Sequence, residues 1–369
     1  MNSDIKKLVC KNFRSYRTLA LNISSRFVVF YGENGAGKTN ILEAISLFSS
    51  NRGLRGATIS DLNAIGSQAL SWNLELVVEN NQHKTFLSTN AQNGRRVAKI
   101  DNSEMPTLSK FEEILWLLWV IPSMDKIFIG SMSDRRSFFD HLVSGYDKFH
   151  KHNLKKLSEL QKERLHVIFH RQDESWLKIL EEKMAEKNVE ITKSRQNFIE
   201  LLHKTFEKHP SEFLRPIVSV SGIVEDIYGR NNEETAQLEI AFLLKKNRYE
   251  DSEKQMTNIS VQKSLWQVMH TQTNLEAEIC STGEQKAFLI SLILAVMRIY
   301  QQTRSGIPIL LLDDLMMHLD INRRNHLINE LISLNVQTFF TGTDLSFFDG
   351  ISDIAQVYYV KDSICFREC

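Results

Sequence analysis

The chain has no excess of either charge and few cysteines. Lysine plus arginine equals aspartate plus glutamate, at 45 each in 369 residues, which excludes a protein held on nucleic acid by bulk positive charge. It does not exclude a local basic face, because phosphate contacts act within about 8 Å at cellular salt. The four cysteines lack metal-ligand and disulfide spacing, so they predict a reduced, intracellular chain.

Signals for a membrane or for secretion are also missing from the sequence. The longest apolar runs, residues 114–121 and 288–297, are shorter than the roughly 20 residues that span a bilayer. The first residues include Asp4 and no apolar run, so no signal peptide is predicted. We therefore expect a cytoplasmic protein without a membrane partner.

The order of apolar segments predicts an α/β fold that uses both ends of the chain. Residues 26–31 read RFVVFY, typical of a strand covered on both faces, and an amphipathic helix follows at 38–48. Residues 135–208 are charged, free of proline and helical in period, which predicts two or three antiparallel helices. Further strands are expected at 5–13, 72–78, 84–89 and 95–100 and in the segments IVSVSGIV, LEIAFLL, IPILLLDD, VQTFF and VYYVKDSICFR. Helices are expected from residue 281 onward and at 322–333, and residues 246–263 are expected to form a loop.

Residues 32–39 read GENGAGKT and fit the phosphate-loop pattern G-x-x-x-x-G-K-[ST]. An apolar strand leads into the loop and a helix leads out, so backbone N–H groups and the helix N-terminus would face a phosphate. Lys38 would meet the β- and γ-phosphates of ATP, and the Thr39 hydroxyl would bind Mg²⁺. The predicted nucleotide-binding residues here are Gly32, Glu33, Asn34, Gly35, Ala36, Gly37, Lys38, Thr39 and Asn40.

The segment IPILLLDD at 307–314 is an apolar strand that ends in two aspartates, as a Walker B element does. Asp313 would hold Mg²⁺, and Asp314 would orient or deprotonate the attacking water, with Lys38 as the second catalytic residue. Two carboxylates at a strand end are otherwise a turn or a helix cap. The phosphate loop in the same chain favours the catalytic interpretation. Aspartate at 314, shorter than glutamate, is compatible with slow hydrolysis.

Residues 280–287 read CSTGEQKA and precede a long apolar helix. They resemble the LSGGQ signature of ABC-type ATPases, in which Ser281 and Gly283 would contact the γ-phosphate bound by a second subunit. MHLD at 317–320 resembles the D-loop, with Asp320 at the dimer seam. An ordinary helix cap, with Thr282 three residues before Gln285, is the alternative, and the two interpretations are compatible.

This order of motifs places the chain in the ABC/SMC ATPase group, and three further segments resemble the RecF family across nearly the whole chain. CKNFRSY at 10–16 resembles L-x-NFR-x-Y, and residues 121–140 resemble a segment that ends RR-x-F-L-D. NRGLRGATISDL at 51–62 resembles an arginine-bearing segment in which Arg55 is the candidate phosphate or DNA contact; Arg135 and Arg136 are further candidates, with helix-surface salt bridges as the alternative.

The resemblance implies an ABC-type ATPase head, formed by residues 1–122 plus 213–369, with an inserted helical lobe at 123–212. It further implies an ATP- and Mg²⁺-dependent homodimer that clamps duplex DNA near single-strand gaps, acts with RecO- and RecR-type mediators in loading recombinase, and hydrolyses ATP slowly. A clamp that uses ATP without significant hydrolysis is the alternative. A transporter ATPase is less favoured, since the insert is unlike a transporter's.

Two positions depart from the family pattern. A GPHR-like stretch is replaced within 258–266, where Gln262 is the candidate substitute, and the switch histidine is replaced by Thr343 in TGT at 341–343. A Q-loop glutamine is not assigned beyond Gln68. His166 and His170 have ligand spacing but no glutamate between them, so a metal site is not expected there.

Overall fold

Two compact units make up the chain in this computed structural model, which describes residues 3–50, 52–64, 71–80, 83–170, 173–303 and 308–368. Unit 1 comprises Met1–Met124 and Tyr300–Cys369, and unit 2 comprises Asp125–Ile299. Residues 213–299 therefore pack with the helical unit, whereas the sequence placed them in the ATPase lobe. The functional division at residue 212 stays a prediction.

Unit 1 contains two six-stranded sheets around a shared core. The strands are β1 (Ser3–Phe13), β2 (Tyr16–Asn22), β3 (Phe27–Tyr31), β4 (Asn73–Asn80), β5 (His83–Gln92), β6 (Arg95–Ile100), β7 (Ser103–Met105), β8 (Leu117–Val120), β11 (Ile309–Leu312), β12 (Thr338–Gly342), β13 (Ala355–Lys361) and β14 (Ile364–Arg367). One sheet is antiparallel, in the order β2-β1-β4-β5-β6-β7, and the other has the order β14-β13-β3-β12-β11-β8.

Strand β3 lies in the middle of the second sheet, between β12 and β13, and pairs in parallel with both. Its residues Val28, Val29 and Phe30 are completely buried, as the uninterrupted apolar run predicted. Helix α1 (Lys38–Ser46) begins directly after the glycine-rich loop and buries Ile41 and Ile45 in the core. Helix α9 (Ile321–Leu334) follows β11. The loop after β3 therefore opens at the carboxyl edge of the parallel part of this sheet.

Unit 2 is mainly helical and has its own apolar core. Its elements are α2 (Met132–Tyr146), α3 (His150–His170), α4 (Glu174–Lys208), β9 (Pro216–Ser221), α5 (Ile223–Arg230), α6 (Glu233–Lys246), α7 (Arg248–Lys254), β10 (Leu265–His270) and α8 (Thr282–Thr303), the last of which runs past the boundary at residue 300. Strands β9 and β10 pair antiparallel. None of the described helices is long and apolar enough to cross a membrane.

The prediction of a strand in LEIAFLL was wrong, because this segment lies in helix α6. The buried side chains of α6 are Ala236, Ile240 and Leu244, spaced four residues apart, while Leu238 and Phe242 are exposed. Asn232 caps the helix by accepting a hydrogen bond from the N–H of Thr235 at 2.9 Å. The exposed apolar residues produce a false two-residue alternation. Residues 246–263 were likewise expected to be loop but include α7.

Candidate nucleotide-binding and catalytic site

The glycine-rich loop after β3 is shaped by close backbone approaches. Gly32 has φ 147°, and a Cβ at this position would lie 2.2 Å from the carbonyl oxygen of Val360. Gly37 has φ 110° at the N-terminus of α1, and a Cβ there would lie 2.9 Å from the Tyr16 hydroxyl. Both positions exclude a side chain, so the glycine spacing follows from the geometry of the loop.

The Lys38 side chain folds back over the loop. Its Nζ donates hydrogen bonds to the carbonyl oxygens of Gly32 at 2.7 Å and Glu33 at 2.9 Å. Burial lowers the pKa of Lys38, and the carboxylates of Asp314 and Asp313 oppose that effect. A buried ammonium whose hydrogen bonds go to carbonyl oxygens would gain from a phosphate, which supplies full negative charge.

The two aspartates after β11 lie beside the loop, as the Walker B interpretation requires. Oδ1 of Asp313 accepts hydrogen bonds from the hydroxyls of Thr39 at 2.8 Å and Thr341 at 2.7 Å. Burial raises the pKa of Asp313, while the hydrogen bonds from the two threonines act in the opposite direction. A divalent metal would oppose the effect of burial, because a metal binds the carboxylate rather than the acid.

Asp314 adopts an unusual backbone conformation, with φ 49°. Its N–H donates to the Thr341 hydroxyl at 2.9 Å, which links the neighbouring strand to the strained residue. One of its carboxylate oxygens, Oδ1, is buried and has no hydrogen-bond partner within the described residues. A buried acceptor without a donor fits a site completed by a water or a metal-bound water. Together with Lys38 and Thr39, these residues fit Mg²⁺ and a triphosphate.

The turn between β1 and β2 supports the loop and α1 at three successive residues. Arg14 forms a two-point ion pair with Glu43 of α1, at 2.8 and 2.6 Å. The Ser15 hydroxyl accepts a hydrogen bond from Nδ2 of Asn40 at 2.9 Å, and the Tyr16 hydroxyl donates to the Gly37 carbonyl at 3.2 Å. The CKNFRSY segment thus acts as a brace. The contacts of Tyr16 and Glu43 could not be predicted from the sequence, because their partners are distant in the chain.

The residues of the signature-like segment lie at the start of α8. Ser281 and Glu284 cap the helix reciprocally: the Ser281 N–H and hydroxyl donate to Oε2 of Glu284 at 2.8 and 2.7 Å, and the Glu284 N–H donates to the Ser281 hydroxyl at 3.3 Å. The capping box is therefore one residue earlier than the Thr282–Gln285 pair, because the helix begins at Thr282. Gln285 instead donates to the Ala277 carbonyl at 2.8 Å.

Several candidates play local structural parts. Asp320 caps α9 by accepting from the N–H of Arg323 at 2.9 Å. Arg135 donates to the carbonyls of Phe128 and Trp266 and pairs with Glu278, which engages it inside unit 2. Other candidates are placed as follows: Arg136 donates to the Ser264 carbonyl, Gly283 lies in the first turn of α8, Glu33, Asn34, Gly35 and Ala36 lie in the loop, Thr343 follows β12, and Gln262 lies in a short 3₁₀ turn, whereas Gln68 is outside the described residues.

No cluster of three metal-ligating side chains occurs within the described part of the chain, and the rings of His166 and His170 simply lie 4.8 Å apart. Trp119 is half-buried and packs against the core of unit 1. The arginine–arginine segment ends at Asp140, whose carboxylate accepts two hydrogen bonds from the buried Arg195, at 2.9 and 2.8 Å. That segment therefore helps to organise unit 2.

A basic groove of about 740 Å³ lies in unit 1 between the end of α1 and the β5–β6 turn. It is lined by three arginines, Arg52, Arg95 and Arg96. None of its described lining residues carries a carboxylate. Arg96 donates to the Ser49 carbonyl at 2.6 Å, and burial lowers the pKa of Arg96 to about 10. The sequence did not reveal this groove, because its arginines come from separate segments of a chain with zero net charge.

Comparisons with known proteins show the family of the chain. Residues 4–117 match the model of the RecF/RecN/SMC N-terminal domain. The DNA replication and repair protein RecF of Rickettsia bellii (strain OSU 85-389) is 36% identical over 361 residues, covering 96% of this chain and 99% of that protein. The chain belongs to the RecF family. The RecF of Rhizobium leguminosarum bv. trifolii (strain WSM2304) is 34% identical over 370 residues, covering 98% of each chain.

Solved structures extend the RecF comparison to the fold. A structure of the recombination mediator protein RecF with ATP, in the RecFOR pathway, superposes with a TM-score of 0.84 at 22% identity, covering 100% of this chain and 99% of that one. The Smc head domain of Pyrococcus furiosus, with an extended coiled coil, has a TM-score of 0.57 at 17% identity and covers 99% and 96%. The predicted ABC/SMC-type head fold is therefore confirmed for this RecF-family chain.

Proposed function

We propose that this RecF-family chain binds ATP and Mg²⁺ at the loop 32–39 and uses that nucleotide to clamp duplex DNA near single-strand gaps. The observation that carries the proposal is the convergence of Lys38, Thr39 and Asp313 at one sheet edge. The ATP-containing RecF structure, which has the same fold, supports the choice of nucleotide. The name and pathway of that RecF protein suggest that ATP-dependent DNA clamping would serve recombinational repair together with RecO- and RecR-type mediators.

Each residue would have a distinct part. Lys38 would turn from the carbonyls of Gly32 and Glu33 to the β- and γ-phosphates, and Thr39 and Asp313 would hold Mg²⁺. When bound, Mg²⁺ neutralises charge on the phosphate oxygens as the γ-phosphate leaves. Asp314 would orient water with its unpartnered Oδ1. In this scheme residues 1–122 plus 213–369 form the functional ATPase lobe, and 123–212 the insert.

Dimerisation is the second part of the proposal. Ser281 and Gly283 of one copy would meet the γ-phosphate held by the other copy, and Asp320 would lie at the seam. Ser281 and Gly283 are exposed at the start of a 22-residue helix, which supports this, because a helix N-terminus favours an anion. Helix α8 would therefore complete a site that one chain leaves open.

ATP should drive dimerisation on gapped DNA, and Lys38→Met should abolish it. Removing the ammonium deletes charge-assisted hydrogen bonds, so we expect ATP affinity to fall about 10- to 100-fold. Equilibrium binding of a fluorescent ATP analogue, and sedimentation with Mg²⁺ and gapped duplex over a range of salt, measure both effects. Undiminished nucleotide affinity in Lys38→Met would disprove the assigned loop. A wild-type chain that stays monomeric with all three components would disprove the dimer.

The basic groove is the proposed DNA-contacting face. Arg52 and Arg95 are exposed, so both are available for phosphate oxygens. Because each phosphate contact contributes about 0.9 to the logarithmic salt slope, Arg52→Met and Arg95→Met should each lower the slope by about that amount. Fluorescence anisotropy with duplex DNA at several salt concentrations measures it. Lys84→Met, an exposed charge change on β5 outside the groove, is the control; equal effects at Lys84 would show that the groove has no special part.

An ATP-gated clamp without significant hydrolysis is the rival function. The specific observation in its favour is Thr343 at the position of the switch histidine, since threonine does not titrate near neutral pH. Single-turnover hydrolysis with and without DNA separates the two functions. Release of phosphate from bound ATP, faster with DNA, favours the ATPase.

A further inference from the structure

Glu43 is a buried carboxylate that is shared by two arginines. It lies on α1, five residues after Lys38, and its side chain is 0% exposed. Arg14 pairs with both of its oxygens, at 2.8 and 2.6 Å, and Arg55 approaches Oε2 through Nη1 at 3.2 Å. A buried carboxylate needs one good cation partner, and here it has two.

The two arginines hold Glu43 unequally. Arg14 uses its Nε and Nη2 in the two-point geometry that fits a carboxylate, and its side chain is 21% exposed. Arg55 uses only Nη1, which it divides between Glu43 and Oδ1 of Asn40 at 2.8 Å, and its side chain is 42% exposed. If Arg55 left, Glu43 would remain paired with Arg14. The departure of Arg55 would therefore not strand a buried charge.

Arg55 also lies close to the phosphate site. Its partner Asn40 lies in the first turn of α1, directly after Thr39. The Asn40 side chain also donates a hydrogen bond to the Ser15 hydroxyl. The positive charge of Arg55 is one of the influences that lower the pKa of Asp313, against the larger effect of burial. The exposed guanidinium is thus within electrostatic reach of the carboxylate that is proposed to hold Mg²⁺. It is also three residues from Arg52, which lines the basic groove.

We propose that Glu43 holds Arg55 in a resting position from which a phosphate group withdraws it, and that Arg14 keeps Glu43 paired meanwhile. Glu43 and Arg14 are then positioning residues that tune the availability of Arg55 without touching the ligand. The inference rests on the proposed function, which supplies two sources of phosphate: the nucleotide in the loop 32–39 and the backbone of DNA. Glu43 and a phosphate are competitors for the same guanidinium.

The sign of the effect of Glu43→Gln tests the competition. Glutamine keeps a hydrogen bond to Arg14 but removes the negative charge that attracts Arg55. The affinity for phosphate should therefore rise about two- to fivefold, the range expected from the loss of a partly exposed ion pair. Arg14→Lys should act oppositely and weaken binding by a similar factor, because lysine cannot form the two-point pair and Glu43 then holds Arg55 more firmly. Arg55→Met should weaken binding about tenfold.

Affinity is measured in two separate arms, to learn which phosphate withdraws Arg55: for ATP with Mg²⁺ and no DNA, and for duplex DNA without nucleotide. The ligand for which Glu43→Gln and Arg14→Lys change the affinity in opposite directions is the source of the phosphate. If Glu43→Gln weakens binding as Arg55→Met does, Glu43 positions Arg55 for binding and the proposal is overturned. If Glu43→Gln changes the affinity for neither ligand, Glu43 is irrelevant to binding and the proposal is also overturned. If Glu43→Gln does not fold, a neutral or strengthening Arg14→Lys overturns it alone.

The wild-type protein and two other variants separate this outcome from failure of the proposed function. Lys38→Met tests the proposed nucleotide site and Arg52→Met the proposed DNA-contacting groove. If these variants bind as the wild-type protein does, the proposed function fails independently of any effect of Glu43. Lys84→Met controls for the loss of a positive charge in unit 1. The logarithmic salt slope in the DNA arm should be unchanged in Glu43→Gln, because Glu43 itself contacts no phosphate; a merely destabilised fold would not raise affinity.

Discussion

Asp314→Asn is expected to slow ATP hydrolysis about 10²- to 10⁴-fold, the usual contribution of a positioned acid–base group, while ATP binding persists. The substitution removes the charge at the oxygen Oδ1 that has no partner within the described residues, and it preserves the size of the side chain. Asparagine also tolerates the left-handed backbone at φ 49°, so the strained turn should survive. The ATP-bound dimer should consequently stay closed.

Single-turnover hydrolysis and sedimentation with Mg²⁺ and gapped DNA give the two measurements. Asp314→Glu is the matched variant, because it restores the charge and adds one methylene. Normal hydrolysis by Asp314→Asn would remove Asp314 from the mechanism. If the wild-type chain releases no phosphate, with or without DNA, the nucleotide serves as a structural clamp instead.

Arg164→Met is expected to destabilise unit 2 by about 3–5 kcal/mol, the usual cost of removing one partner from a buried ion pair. Arg164 is completely buried and donates to Glu181 at 3.0 Å, to Asp251 at 2.7 Å and to the Leu244 carbonyl at 2.6 Å. Glu181 keeps a second cation in Arg248, at 2.7 and 2.8 Å. Asp251, which is equally buried, would lose its arginine.

Urea denaturation followed by circular dichroism measures the change in the free energy of unfolding. Lys178→Met is the control, since its pair with Glu182 is exposed and at 3.8 Å, and pairs of this kind contribute about 0–1 kcal/mol. Adding Asp251→Asn to Arg164→Met should recover part of the loss by neutralising the stranded carboxylate. Equal stabilities for Arg164→Met and Lys178→Met would show that the buried network contributes little.

The sheet that contains β3 was predictable because its strands and motifs are local signals. The run RFVVFY became β3, the helix at 38–48 became α1, and the segment before Asp313 became β11. Strand β8 was not predicted, since LLWV lies within a longer apolar run, and such a run does not distinguish a strand from a buried helix. Strand β10 was missed for a different reason: its pairing with β9 arises from residues more than 40 positions away.

The site was predictable only where chemistry and sequence spacing coincide. Lys38 and Thr39 are fixed by the loop pattern, and Asp313 by the strand that precedes it. The hydroxyl of Thr341, which contacts both aspartates, could not be predicted, because only the parallel pairing of β12 with β11 brings it there. The same holds for Glu43: its two arginines come from a turn before the loop and a segment after α1.

The position of β3 between β12 and β13 has a consequence for synthesis on the ribosome. The glycine-rich loop and α1 are synthesised soon after β3, but the two strands that flank β3 begin at Thr338 and Ala355, far later in the chain. The nascent segment FVVFY therefore lacks its native neighbours until both later strands have been synthesised, and long-range parallel pairing forms slowly. Chains released prematurely would expose an apolar segment prone to aggregation, so a cell that stalls during translation would accumulate insoluble fragments rather than partly active ones.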